Sequence, residues 1–294
     1  MVKFGIALPN FGKYADSHSI STVARAAERL GYGSVWVSEH IVVPKGHRGF
    51  GTVFYEPLTT LAYVAASTST VSLGTSVLVL PLRNPLVLAK SLSTLDQISG
   101  GRLILGVGAG WLEEEFRALG VPFGKRGAVT DEYIEVLKAL FASAEPEFEG
   151  DYFRFGGVVF DPIPIQKPRP PILVGGGSAA AIRRAARYGD GWHPVGMAPE
   201  ELGERVALLD EELGRAGRTR EGFEVVLRKN LQIGDMPDED AEPLRGPADK
   251  VVEGILAYEA AGVTHFVFQV LSGTFEGFIE TMEGFMTDVR PGLG

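Results

Sequence analysis

With 294 residues, the chain is long enough for two average domains or for one α/β barrel, which routinely takes about 250. Apolar residues at 45% and charged residues at 22% match ordinary globular usage and exclude a disordered chain, while the lack of any cysteine excludes a disulfide scaffold and thiol redox chemistry. A net charge of −9, from 28 basic against 37 acidic residues, argues against broad nucleic-acid binding and against attraction to anionic membranes.

The start, Met1 to Asn10, carries one Lys and a short apolar run closing on Pro9-Asn10, unlike a signal peptide. The longest apolar stretch, Val77–Leu82, falls far below the ~18 residues of a spanning helix. A soluble cytoplasmic protein is expected.

Short apolar runs alternate with amphipathic ones along the chain. Strands are predicted at Lys3–Leu8, Ser34–Val37, Val71–Leu80, Leu103–Val107, Ile172–Val174, Gly191–His193, Phe223–Gln232 and Thr264–Val270. Runs such as Leu103-Ile104-Leu105 are apolar on both pleat faces, which suits parallel strands covered by helices. Helices are predicted at Ile20–Leu30, Pro57–Ser67, Pro85–Gln97, Thr130–Phe141, Ala179–Tyr188, Pro199–Arg215, Pro247–Ala260 and Phe275–Val289. Most begin with Pro or a capping residue or end before Gly. Strictly alternating strands and helices predict an α/β fold, a (β/α)8 TIM barrel spanning 1–294 as one domain, with an open doubly wound sheet as the alternative.

The rhythm breaks at Ala144–Pro171, an excursion between the fourth and fifth units. Glu147–Phe155 alternates with period two around Gly150-Asp151 and reads as a hairpin. Pro162, Pro164, Pro168, Pro170 and Pro171 then exclude helix and central strand. Gly234–Gly246 is acidic and loop-like.

Barrel active sites form at the C-terminal ends of the strands. Those ends carry Asn10, Glu39-His40, Ser76-Val77, Gly108-Ala109-Gly110-Trp111, Gly175-Gly176-Gly177-Ser178 and His193. The triple glycine plus Ser178 opens a helix. Its backbone N–H groups can approach an anion closely, and the helix dipole favours negative charge there, so a phosphate cradle is expected, with Arg183 and Arg184 adding charge. A tight turn needing positive φ would select glycine too. Gly106 and Gly108 leave room either for a flat ring or for dense packing inside the barrel. His40, preceded by Glu39, is the candidate general acid/base. The acidic run Glu113-Glu114-Glu115 reads as complementing a helix dipole, and Asp96, Ser99 and Arg102 as structural residues of the opposite barrel face. Scattered histidines without H-E-x-x-H spacing predict no metal site, and no G-x-S-x-G elbow supports a serine hydrolase.

Val71–Leu82, Ser93–Leu103, Gly106–Trp111 with Glu114-Glu115-Phe116, Pro170–Gly176, Ala185–Trp192 and Ala260–Val263 together resemble the luciferase-like monooxygenase superfamily. Leu119–Arg126 with Asp131-Glu132-Tyr133 is similar to its branch using the deazaflavin coenzyme F420. The resemblance covers nearly the whole chain. It implies a barrel whose mouth holds F420, or FMN as the alternative, with a non-prolyl cis peptide at Ser76-Val77 backing the ring. It also implies the phosphate at Gly176, Gly177 and Ser178, an acid/base or substrate contact at His40, an acidic Glu39 beside the ring, and a homodimer. Asn10, Trp111, Glu114 and His193 are then expected around a small-molecule substrate. The sugar-phosphate dehydrogenases of that branch carry a carboxylate proton donor where this chain has Trp111, which disfavours that substrate. The expected activity is F420-dependent hydride transfer to or from a small organic substrate, with an FMN-dependent monooxygenase or a flavin-binding protein without turnover as alternatives.

Overall fold

The structure, a computed structural model, describes all residues except 1, 48, 50 and 237–241. Parts of the glycine- and aromatic-rich loop His47–Tyr55, which the sequence offers as a lining of the substrate pocket, and of the acidic stretch Gly234–Gly246 therefore lie outside the described residues. The apolar runs become β1 (Lys3–Ala7), β2 (Ser34–Val37), β3 (Ser72–Thr75), β4 (Leu78–Val79), β5 (Leu103–Gly108), β6 (Phe148–Glu149), β7 (Arg154–Phe155), β8 (Ile172–Gly175), β9 (Gly191–His193), β10 (Glu224–Ile233), β11 (Arg245–Gly246) and β12 (His265–Val270). Eight of these, β1, β2, β3, β5, β8, β9, β10 and β12, pair parallel in that order, and β12 closes the circle against β1 with Ile6 opposite Phe268. The result is the expected (β/α)8 barrel.

The helices are α1 (Ser17–Leu30), α2 (Pro57–Ala65), α3 (Pro85–Ser99), α4 (Glu113–Ala118), α5 (Arg126–Ala142), α6 (Ala179–Tyr188), α7 (Pro199–Arg215), α8 (Ala248–Ala260) and α9 (Phe275–Gly284). Helix α1 starts three residues before the apolar stripe does, because the Asp16 carboxylate accepts from the Ser19 N–H at 2.8 Å; it stops where Gly31 turns left-handed at φ 86°. Asn84 and Pro85 start α3 in the same way, and Gly100 ends it at φ 72°. Helix α9 ends earlier than expected, and the chain continues as a π-helical turn over Phe285–Val289.

Two apolar layers hold the barrel. The larger lies between strands and helices, and a small cluster of Ala7, Trp36, Leu173, Val226 and Val267 fills the lumen. The strand expected over Val71–Leu80 is interrupted: β3 pairs with β2 and β5, the Ser76-Val77 peptide is cis, and β4 resumes beside β5 alone. The excursion carries the expected hairpin, with Phe148 opposite Phe155. Its turn is held by the Glu132 carboxylate, which accepts from the N–H groups of Asp151, Tyr152 and Phe153. At the opposite barrel face, Arg102 places all five of its donors on Ser99, Thr68, Val71 and Ala65, and the fully buried Asp96 accepts from Gln166, as their structural reading requires. Among the described residues, no helix is long and apolar enough to cross a membrane.

Candidate active site

The strand ends meet at one mouth, and β3–β4 forms its back wall. Past Thr75 the cis bond directs Ser76 and Val77 to different neighbours. The Val77 side chain enters a notch made by glycines: a Cβ on Gly108 would lie 2.8 Å from Val77 Cγ2, and one on Gly175 would lie 2.8 Å from Val77 Cγ1. A Cβ on Gly106 would strike the Thr75 carbonyl oxygen at 1.9 Å. Dense packing thus accounts for Gly106 and Gly108; their missing side chains make space for Val77 and Thr75, not for a ring. Ala109 ends the strand half-buried, and Gly110 takes φ 79° with its carbonyl held by Arg126 Nε at 3.1 Å.

Ser76 is fastened from below. Its Oγ lies 2.8 Å from His193 Nε2, and His193 Nδ1 lies 2.6 Å from the Val226 carbonyl. A carbonyl only accepts, so Nδ1 carries the proton and Nε2 accepts from the serine hydroxyl. Burial pushes His193 down to about 4, which keeps it neutral. Fully buried and stacked on Trp36 at 5.4 Å, His193 supports the wall and does not line a substrate pocket, contrary to the expectation from its strand-end position.

Two further expectations change. Asn10 is fully buried: its amide donates to the Ser38 and Tyr55 carbonyls, and its oxygen accepts from Ser38 N–H. It clips the ends of β1 and β2 together and has no donor left for a substrate. Glu39 alternates outward from the lumen-facing Trp36 and Ser38. Its carboxylate accepts from Val79 N–H at 2.5 Å and pairs with Arg83, whose Nε lies at 2.8 Å. With the side chain 1% exposed, Glu39 props the wall from behind and exchanges protons with nothing in the mouth.

His40 follows on the lumen side. Its Nδ1 lies 2.9 Å from Glu115 Oε2, while Glu115 Oε1 accepts from the N–H groups of Ile41 and Val42 at 2.6 and 3.2 Å. Burial pushes the Glu115 carboxyl up, but the bonds from His40 and the two backbone N–H groups outweigh it and hold it below the ordinary value. The ionised carboxylate therefore accepts from Nδ1–H, which fixes the ring's orientation and tautomer. Of the acidic run at the start of α4, Glu115 is buried against His40 while Glu114 is exposed to solvent. Sequence reading missed Glu115, because nothing in the run Glu113-Glu114-Glu115 marks which glutamate faces inward. Trp111, 62% exposed, stands edge-on to His40 at 6.0 Å and forms the rim beside it.

Against this wall β8 runs through Gly175 and Gly176, the latter at φ 110° and exposed, into α6. Ser178 caps the helix by accepting from Ala181 N–H at 3.2 Å, which leaves its hydroxyl proton to donate. Gly177 packs on the Met197 methyl. The exposed glycine and the N-terminal amides of a ten-residue helix fit an anionic tail. Arg184 does not join them, being paired with Asp131 and donating to the Gly127 carbonyl at 3.0 Å; Arg183 remains on the exposed side of α6.

Arg228, on β10, was not singled out by the sequence. It reaches across the mouth to Ser38, Ser76 and Gln269.

Comparison with known proteins gives the family and the fold. The family model for luciferase-like monooxygenases matches residues 2–247. An uncharacterised protein of Mycobacterium tuberculosis (strain H37Rv) is 38% identical over 216 residues, which span 67% of this chain and 72% of that protein. A second protein of that strain, provisionally named a coenzyme F420-dependent oxidoreductase, is 32% identical over 248 residues, covering 80% of this chain and 67% of its own. The crystal structure of monooxygenase RslO1 from Streptomyces bottropensis superposes with a TM-score of 0.86 at 27% identity, over 99% of this chain and 100% of that one. Matched span and shared barrel lead to one assignment: the chain belongs to the luciferase-like monooxygenase family.

Proposed function

We propose that this chain is an F420-dependent oxidoreductase that moves a hydride between the deazaflavin and a small organic substrate. The observation that carries the reading is the His40–Glu115 pair at the end of β2, beside the Ser76-Val77 interruption of the neighbouring β3 and at the same end of the barrel as the amide end of α6. The provisional name of the 32% identical relative supports the choice of deazaflavin. When bound, the deazaflavin supplies the carbon that gives or takes the hydride. The Gly176–Ser178 corner holds its phosphate, Ser178 donating its hydroxyl proton. The Ser76-Val77 wall, with Gly108, Ala109 and Gly110 beside it, fixes where the ring lies. His40 Nε2 gives or takes the substrate's proton, and Glu115 keeps it pointed there. Trp111 shields the rim.

We further read the protein as a cytoplasmic homodimer through α2 and α3, whose outer faces leave Tyr63, Val87 and Ile98 48%, 66% and 63% exposed. Light scattering at micromolar concentration is expected to give twice the chain mass.

The test of cofactor choice is titration with F420 and with FMN, followed by anaerobic turnover with reduced F420. Saturable F420 binding and oxygen-independent turnover are expected. Tight FMN binding with none of F420 would instead assign an FMN-dependent monooxygenase; the Streptomyces structure is named a monooxygenase. Cofactor binding without turnover across a substrate screen would leave a flavin-binding protein.

A further inference from the structure

Arg228 differs from four other half-buried arginines of this chain. Arg83, Arg169 and Arg184 each meet a carboxylate, and Arg102 places all five donors on oxygen atoms. Arg228 meets only neutral acceptors. Its Nη1 donates to Ser38 Oγ at 2.7 Å and to the Oγ and carbonyl oxygen of Ser76 at 3.2 Å, and its Nη2 donates to Gln269 Oε1 at 2.5 Å. Among the described residues its Nε–H has no acceptor and no carboxylate lies within ion-pair distance. Nε and Nη2 form one edge of the guanidinium, the edge that a two-oxygen anion binds side-on.

Burial pushes Arg228 down to about 10, so it remains charged at neutral pH inside a half-buried mouth. A sheltered charge without a counter-charge costs stability and is retained where a ligand supplies the missing anion. The surroundings indicate what that ligand looks like. The guanidinium carbon lies 5.7 Å from the Phe11 ring centre, Phe11 stacks on Phe54 at 5.1 Å, and Phe54 meets His40 edge-on at 5.0 Å. An aromatic wall thus runs from the cation to the acid/base.

We propose that Arg228 is a substrate-binding residue and that the substrate is a small organic acid, its carboxylate on the Nε/Nη2 edge and its apolar body along Phe11 and Phe54 toward His40. This rests on the hydride-transfer reading only for what happens at His40; the anion subsite itself can be examined without cofactor.

The probe is sodium benzoate against its uncharged counterpart benzamide, titrated calorimetrically into the full chain in low-salt buffer. Benzoate is expected to bind at least tenfold more tightly than benzamide. Arg228→Gln should abolish that preference and Arg228→Lys should keep a few-fold of it, a point charge replacing the fork. Equal binding of the two probes to the unaltered protein overturns the proposal and needs no variant to fold. A parallel F420 titration separates the two readings. Benzoate preference without F420 binding upholds the subsite and removes the redox assignment. Absent benzoate preference, with F420 affinity lost in Arg228→Gln, overturns the proposal by giving the guanidinium to the cofactor.

Discussion

His40 and Glu115 come from segments 75 positions apart and meet at 2.9 Å, with two backbone N–H groups completing the carboxylate's shell. Because Glu115 accepts and never donates there, it selects the imidazole tautomer with the proton on Nδ1. Glu115→Gln keeps an oxygen for Ile41 and Val42 but presents an amide to Nδ1. We expect turnover to fall roughly tenfold or more, the pH profile of turnover to move, and KM to change little. Steady-state kinetics across pH checks this; an unchanged pH profile would make the pair purely structural. The strand-end position of His40 is legible in the sequence, whereas the identity of its partner is not, since three consecutive glutamates on one short helix differ only in which way they face.

At the scale of single elements, the interrupted third strand owes its place to its neighbours. Val77 fits only because positions 108 and 175 lack a Cβ, each of which would come within 2.8 Å of it. Gly108→Ala is expected to cost about 1–3 kcal/mol by overpacking. Combining it with Val77→Ala should recover part of that loss, a coupling of about 1 kcal/mol measured by denaturant melts of both single variants and the double one. Additive losses would show that some other contact of residue 108 matters. The glycines stand out in the sequence, but a glycine reports only that something comes close. Whether that is a ligand or a valine from a neighbouring segment is decided by packing.

For the whole molecule, several buried titratable groups stake stability on pH. His193 is held neutral at about 4 against 6.5 when unfolded, so between those values the unfolded chain binds a proton that the folded chain refuses. Stability from this residue is complete above about pH 6.5 and is lost as pH falls toward 4, a total of about 3 kcal/mol. Burial lowers His265 too, and this adds in the same direction. Below these, Glu28 and Glu224, both held at about 2, lose their contribution as pH falls from 4.5 toward 2. Melting temperature should therefore fall steadily from pH 6.5 to 4, with a shallower slope in His193→Gln. An equal slope in that variant would place the acid lability elsewhere.

Strand and helix order, the hairpin in the excursion and the glycine corner before α6 follow from local patterning, because periodicity, caps and turn residues act between near neighbours in the chain. Which strand-end residues face the mouth is a different matter. Asn10, Glu39 and His193 looked like site residues by position and are consumed by hydrogen bonds to segments 28, 44 and 117 residues away. Arg228 looked like an ordinary strand residue and reaches across the barrel to Ser38. A polar side chain acts on a ligand only after its internal partners are subtracted, and those partners become neighbours only when the barrel closes.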